Sequence, residues 1–393
     1  MTVFGLETLP RASAVAGAAP TLHPLILMPT VLLFDAHSDE IEYIKPVAKK
    51  HPPMITIAHW QLRDLLLCPT NRKEIIYPCR TNVLQYNTEK EQVTHLLQDL
   101  TFAPTSIASG CGYLAAGGQH SELAIRKIDG QWITNTTLGS SINNALSISE
   151  RPGEPPRLMV CNNDETIKVF SLPSMRKVAN ILLPTAVNYA SVSPDGRRMV
   201  AVGDTNQVFL FDISASGQYK RVATYIASND SSFSCSWNQA SDIFAVASQD
   251  GIVSVWDIRN SKKLCKLGSK QYPQTKGATR CVKFSPSGSL DLLAFSEVRI
   301  TMLSHHLPYF FLLHTTHFTI LFRQHSSYID VVDARTFNSR QSVRVAPVGC
   351  DAQISGITFT PDSRTLYVGT DNAVMEYDVN TVIRRSFSFG SIL

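Results

Sequence analysis

The sequence predicts an all-β fold, a seven-bladed β-propeller, and three observations carry that prediction. A turn unit recurs after a short apolar strand, as Val192-Ser-Pro-Asp-Gly196, Trp237-Asn-Gln-Ala-Ser241, Phe284-Ser-Pro-Ser-Gly288 and Phe359-Thr-Pro-Asp-Ser363. An alternating strand ending in Asp follows each, as Val208-Phe-Leu-Phe-Asp212, Val253-Ser-Val-Trp-Asp257, Ile329-Asp-Val-Val-Asp333 and Val374-Met-Glu-Tyr-Asp378. The copies return at roughly 40–45 residues, the period of a propeller blade built from four short antiparallel strands.

Alternation at period two buries one face of each strand and turns the other toward a neighbouring blade. The Pro, Asp, Ser and Gly clusters between strands supply the tight connections. Weaker copies extend the pattern upstream: Ile167-Lys-Val-Phe170, Leu123-Ala-Ile-Arg126 after Gly117-Gly118, and Asn82-Val-Leu-Gln-Tyr86 after Glu74-Ile-Ile-Tyr77. Seven units result, ending near residues 87, 128, 171, 213, 258, 334 and 379. A closed ring leaves no exposed sheet edge, and Arg384-Arg-Ser-Phe-Ser-Phe389 is expected to return to the first blade as the closing strap. The propeller is assigned to residues 51–393, with residues 1–50 as a poorly ordered N-terminal extension.

The spacing breaks once. Trp237 and Phe284 are 47 residues apart, whereas Phe284 and Phe359 are 75 apart. The surplus falls in blade six and matches residues 298–324, an apolar segment holding four of the eleven histidines. Its removal joins Glu297 to His325 and restores an ordinary pair of blade strands. The segment is a whole number of codons, and Val298-Arg299 and Gln324 are compatible with splice-donor and splice-acceptor sequences, so it reads as a translated intron. A surface loop is the competing reading. A metal site from His305, His306, His314 and His317 lacks a carboxylate or cysteine within the segment to complete it, and the apolar stretch is too short to span a bilayer.

Whole-chain composition narrows the function classes. Of 393 residues, 44% are hydrophobic and 17% charged, and the net charge is +4, too small and dispersed to favour nucleic acid or a membrane as partner. The eight cysteines include no C-x-x-C pair, against a zinc ribbon or redox dithiol, and several lie within apolar strands as small buried hydrophobes. The apolar run from Leu22 to Phe34 is broken by Pro24 and Pro29 and does not read as a signal peptide, so the cytoplasm or nucleus is the expected location. No G-x-S-x-G, H-E-x-x-H or P-loop occurs, and Gly110-Cys-Gly112 and Gly117-Gly118 lack the following helix that dinucleotide binding needs. The chain is expected not to be an enzyme and to need no cofactor or metal.

Ser248-Gln-Asp-Gly-Ile-Val-Ser-Val-Trp-Asp-Ile-Arg-Asn260 carries the Trp-Asp signature itself. With Cys161-Asn-Asn-Asp-Glu-Thr-Ile-Lys-Val-Phe170, Asn188-Tyr-Ala-Ser-Val-Ser-Pro-Asp-Gly196 and Phe233-Ser-Cys-Ser-Trp237, the chain resembles a WD40-repeat family of fungi and plants over about residues 59–385. That family includes fungal proteins with a short domain of unknown function marked by an Asp-Leu-Leu motif; here the motif reads Trp60-Gln-Leu-Arg63-Asp64-Leu65-Leu66-Leu67-Cys-Pro69. The resemblance implies a seven-bladed WD40-type β-propeller and has no counterpart of residues 298–324. It also implies a link to substrate receptors of a multisubunit ubiquitin ligase.

In such a ring, the loops before the inner strands and between the second and third strands share one face. Arg80, His120, Asn163, Asn188, Asn206, Arg280 and Asn372 are the candidate partner-binding residues there. Asp164, Asp204, Asp250 and Asp371 each precede a third strand, where Asp commonly bonds its own turn. Trp237 and Trp256 lie within strands and are expected in the core. The expected function is a protein-interaction scaffold binding other proteins or peptides; the alternative is a ubiquitin-ligase substrate receptor that takes a short peptide or chain terminus.

Overall fold

The computed structural model describes residues 41–260, 262–268, 277–286, 291–306, 319–347 and 352–381. Seven antiparallel sheets follow one another along the chain. Blades two to six occupy residues 106–137, 143–182, 187–226, 232–267 and 278–344, each a four-stranded sheet in chain order from inner to outer edge. Middle strands such as Tyr113–Gly117 and Ile243–Ser248 are buried almost throughout, because blades pack on both their faces. Outer strands such as Ile133–Thr137 and Tyr219–Ile226 expose most of their side chains and are correspondingly polar.

The core is a set of seven apolar clusters, one between each pair of neighbouring blades. Blade four meets blade five through Val200, Val202, Cys235, Trp237, Phe244 and Trp256. Phe244 and Trp256 stack at 5.1 Å, and Trp237 donates from Nε1 to the Ser191 carbonyl at 3.0 Å, so both tryptophans serve packing. The last cluster joins blade seven to blade one through Tyr367, Val374, Leu65, Leu66 and Tyr86, which closes the ring.

Closure itself uses the N-terminal side of the propeller. Blade seven has three strands of its own, Ile354–Phe359, Thr365–Thr370 and Val374–Asp378, and its outer strand is Lys49–His51, antiparallel to Val374–Asp378. His51 is buried there, its Nε2 2.6 Å from Glu376 Oε2. Blade one has strands Glu74–Cys79, Asn82–Asn87 and Gln92–Leu97. Its inner position is taken by Leu67, which exchanges both backbone hydrogen bonds with Ile76 at 2.9 and 2.8 Å. The expected strap at residues 384–389 lies outside the described residues. The propeller also begins before residue 51: Tyr43 and Ile44 are buried in the cluster between blades six and seven, because the run that reaches the outer edge must first cross that seam.

Blade six carries the surplus seen in the spacing. Its second and third strands, Leu292–His306 and Thr319–Asp333, are each 15 residues long and stay paired throughout. Both outrun their neighbours, since pairing with the first strand stops at Val298 and with the fourth at Tyr328. Blade five has five residues between the paired Ala247 and Val253. The same positions in blade six, Ser296 and Ile329, have thirty-two between them, an excess of twenty-seven.

Two outcomes are expected. Truncation before residue 52 removes the outer strand of blade seven and lowers Tm by at least about 2–4 °C; an unchanged melting curve contradicts the closure described. Deletion of residues 298–324 leaves a five-residue turn and is expected to preserve cooperative melting at no lower Tm. Loss of the cooperative transition would show that the segment is part of the fold, and transcripts that all carry it would contradict the intron reading.

Candidate functional site

One face of the ring is assembled from repeated loop clamps. In blades three, four, five and seven the loop after the second strand bonds the segment entering the inner strand: Asn163 N to Ile142 O, Asp204 N to Ala186 O, Gln249 N to Ser231 O and Asp371 N to Gln353 O, at 2.8–3.1 Å. Polar side chains extend the linkage from blade to blade. Asn144 Nδ2 donates to the Val187 carbonyl at 2.9 Å, and Asn188 Nδ2 donates to Asp204 Oδ1 at 2.8 Å and the Ser232 carbonyl at 3.1 Å.

Across this face runs the chain's own segment from Thr56 to Asp64. The Arg80 amide donates to Thr56 Oγ1 at 2.8 Å, and Gln119 Nε2 to the Ala58 carbonyl at 2.9 Å. Arg280 holds the Trp60 carbonyl through Nη1. The segment then turns at Asp64, whose φ of +92° is a conformation that residues other than glycine seldom adopt. The amides of Asp64 and Leu65 both donate to the Ser355 carbonyl at 3.0 Å. Gly356 permits this approach, because a Cβ there would lie 2.9 Å from the Leu65 nitrogen.

The turn carries the Asp64 carboxylate to residues from blades on other sides of the ring. Lys283 Nζ in blade six donates to Asp64 Oδ2 at 2.6 Å, and the Tyr189 hydroxyl in blade four donates to the same oxygen at 2.7 Å. Lys283 also reaches the Tyr189 hydroxyl at 3.2 Å and lies over its ring. Burial alone would lower the Lys283 pKa, but the Asp64 carboxylate outweighs it and raises the ammonium well above the usual lysine range. Burial and the same carboxylate push the Tyr189 phenol up. The group is thus a cation and an anion joined by a neutral phenol, a clasp across the ring rather than a pair poised for proton transfer at neutral pH. Lys283 also lines, with Cys68, Phe284 and Phe359, a cavity of about 300 Å³.

Two arginines stand at the crossing segment. Arg63 Nη1 donates to the carbonyls of His59 (3.1 Å) and Leu62 (2.8 Å), and its Nη2 donates to Gln353 Oε1 at 3.2 Å. Arg280 lies between the rings of Trp60 and Phe233, 5.6 and 5.7 Å from their centroids. Burial and then Arg280 lower the Arg63 pKa to about 10; burial lowers that of Arg280. Burial followed by both arginines also lowers the His59 imidazole, which favours its neutral form. Trp60 itself is 66% exposed, the most exposed aromatic among the large hydrophobics of the described surface.

The structure distributes the sequence candidates unevenly. Arg80, His120, Asn163 and Asn372 are exposed, and Asn206 and Arg280 are half-buried. Asn188 is not displayed: it is 4% exposed, its amide spent on Asp204 and Ser232 between blades. Of the turn aspartates, Asp164 Oδ1 accepts from the Thr166 amide (3.2 Å) and Asp250 Oδ1 from the Ile252 amide (3.4 Å) within their own turns, whereas Asp371 Oδ1 accepts from the Gln353 amide (3.1 Å) and Asp204 Oδ1 from Asn188 Nδ2 (2.8 Å) at the entry to the inner strand. Trp60, Arg63 and the Asp64–Tyr189–Lys283 clasp were not among the candidates, although each lies in a stretch that carried the family resemblance or in the strand Cys281-Val-Lys-Phe284. Cys161, Cys235 and Cys281 are buried, and burial pushes their thiols up, Cys235 and Cys281 to about 12. Among the described residues, no group of three His, Cys, Asp or Glu side chains is arranged to hold a metal ion.

Known proteins share this architecture. Residues 219–257 match the model of the WD domain, G-beta repeat, and residues 277–299 match an uncharacterised protein domain, DUF2415. An uncharacterised protein of Schizosaccharomyces pombe is 36% identical over 256 residues, which cover 63% of this chain and 74% of that protein. The chain belongs to the WD40-repeat family. An uncharacterised Saccharomyces cerevisiae protein is 26% identical over 41% of the chain and 27% of its own length. The WD repeat-containing protein WDS homolog of Arabidopsis thaliana is 19% identical over 68% of the chain and half of its own length. The uncharacterised domain falls on blade six, not on the Asp64-Leu65-Leu66 stretch, yet Asp64 meets Lys283 within that matched segment. The match stops at residue 299, where the paired strands of blade six begin to outrun their neighbours.

A double-mutant cycle tests the clasp. Asp64→Asn is expected to destabilise the chain by about 3–5 kcal/mol in denaturant melts, because it leaves the Lys283 ammonium without its counter-charge. Asp64→Asn with Lys283→Met should recover most of that loss, whereas additive losses would contradict the coupling. The raised Lys283 pKa fixes the pH dependence. Its contribution is complete at neutral pH, declines above the unfolded lysine value of about 10.4 and is lost as the folded group titrates, so the gap between wild type and double mutant should narrow in alkali.

Proposed function

We propose that this WD40 propeller is a non-catalytic protein-interaction platform whose contact surface is the face crossed by residues 56–64. The observation that carries the reading is the exposed Trp60 against half-buried Arg280, since Trp and Arg set at the centre of a rigid loop face are the residue types that dominate protein interfaces. Arg80, His120, Asn163 and Asn372 are exposed polar residues of the kind that form the rim of such an interface. WD40 propellers generally act as scaffolds, in accord with this reading.

The second reading is a substrate receptor of a multisubunit ubiquitin ligase, which the resemblance implies. Two cations, Arg63 and Arg280, beside the exposed Trp60 ring favour it, since such a group can hold the side chains of a short peptide. The Asp64 clasp directs such a peptide to the face around the axis rather than into the ring, since the chain's own residues already meet there.

Affinity purification with mass spectrometry, using the chain without residues 298–324, separates the readings. A stable stoichiometric complex, reduced at least about tenfold by Trp60→Ala, is the result expected of the platform. Recovery of ligase subunits with substoichiometric client proteins would assign the receptor role. Identical partner sets for wild type and Trp60→Ala would contradict this face as the contact surface.

A further inference from the structure

We propose that the Arg280 guanidinium, through Nη2 and with Arg63 nearby, is the anchor for an acidic side chain of a partner peptide, with the Trp60 ring packing on the residue beside it. The proposal deepens the platform reading and rests on it.

The geometry begins with what Arg280 does not bond. Nη1 is fixed by the Trp60 carbonyl, and the guanidinium plane is held between the Trp60 and Phe233 rings. Nε is shielded from solvent and has no hydrogen-bond partner among the described residues. Nη2, on the same edge, has none either. Unlike Nε, Nη2 reaches the surface, so it is the donor open to an incoming oxygen, with the second cation, Arg63, close by.

The charge balance points the same way. Several other half-buried arginines are paired with carboxylates, Arg157 with Glu154 and Arg340 with Asp330 at 2.8 Å, while Arg126 bonds only carbonyls and has no second cation described beside it. Arg280 and Arg63 also bond only neutral carbonyl and amide oxygens. They stand near enough to lower the Arg63 pKa, a like-charge pair without an ion-pair partner. Partly desolvated cations in that arrangement are costly until an anion arrives. The acids nearest on this face are engaged, Asp204 by Asn188 and Asp371 by the Gln353 amide, and neither forms an ion pair with Arg280. Phe233 beneath and exposed Trp60 above supply the apolar flanks, so the group recognised is a carboxylate or phosphate carried on a peptide with an apolar or aromatic neighbour.

A peptide array tests this directly. The probes are decapeptides with a central Asp, Glu, phosphoserine, Asn, Gln or Lys among mixed apolar and aromatic neighbours, overlaid with the full chain. Acid-centred peptides are expected to be retained at least tenfold over Asn-, Gln- and Lys-centred ones, and Arg280→Gln and Trp60→Ala should each abolish that preference. Arg280→Lys keeps the charge and loses the planar guanidinium held between the two rings, so it should retain only a weak preference, and its melting curve controls for folding. Arg259→Ala, which breaks an exposed ion pair with Asp257, should change nothing. Strong Asp and Glu spots identify a carboxylate source; phosphoserine spots alone identify a phosphorylated one. Retention that is independent of the central residue, or acid preference that survives in Arg280→Gln, overturns the proposal. If cellular partners are still captured by Arg280→Gln but lost by Trp60→Ala, the anchor is wrong and the platform stands; if both variants capture them as wild type does, the face itself is wrong.

Discussion

The ring is held by what residues 43–67 do between the last blade and the first. Blade seven lacks an outer strand of its own and blade one lacks a long inner one. The same run of chain supplies Lys49–His51 to the first need and Leu67 to the second. Between them it packs Ile55 into the cluster joining these blades and places Asp64 where it bonds Lys283 and Tyr189. Closure therefore couples sheet pairing, apolar packing and a buried ion pair within one short segment. Without it, blades seven and one would each present an unpaired edge.

That constraint also shapes the surface offered to a partner. A segment that must pass from an outer edge to the axis has to cross a face, and the carbonyls it exposes on the way need donors. Arg63 and Arg280 supply them at His59, Trp60 and Leu62. The same arginines leave Trp60 standing out of the loop, so the exposed aromatic and the cations beside it are a product of how the ring closes. Elsewhere on the face the aspartates of the short turns are already engaged, by their own turn or by the segment entering the inner strand.

Much of the fold was legible because it is local. The Asp-ended alternating strands are the third strands of their blades: Val208 to Asp212 lies within Gln207–Ile213, and Val253–Asp257 coincides with the strand found. Asp164 and Asp250 bond their own turns as their position before these strands required, whereas Asp204 and Asp371 hold the segment entering the inner strand. What stayed hidden depends on contacts between distant parts of the chain. Tyr189 and Lys283 sit on the same kind of alternating strand as a dozen other residues, and only closing the ring brings them to Asp64, 125 and 219 positions away. Asn188 read as a face residue because it opens an inner strand, yet there the neighbouring blade covers it and its amide links blades four and five. Lys49–His51 is three residues without alternation, so no periodic signal marks it as a strand. Arg280 was legible as a contact residue; Trp60 and Arg63 were read only as part of a motif, since nothing local indicates that their segment crosses a face.

The account depends most directly on the order of the closing segment, and hydrogen exchange measures that order. The amides of Asp64, Leu65 and Leu67 donate to carbonyls of Ser355 and Ile76 and should exchange on the timescale of the core amides of blades one and seven, such as Ile76 and Val368. Exchange as fast as that of exposed loop amides would show that residues 43–67 do not close the ring, and the clasp and the face built on it would fall together.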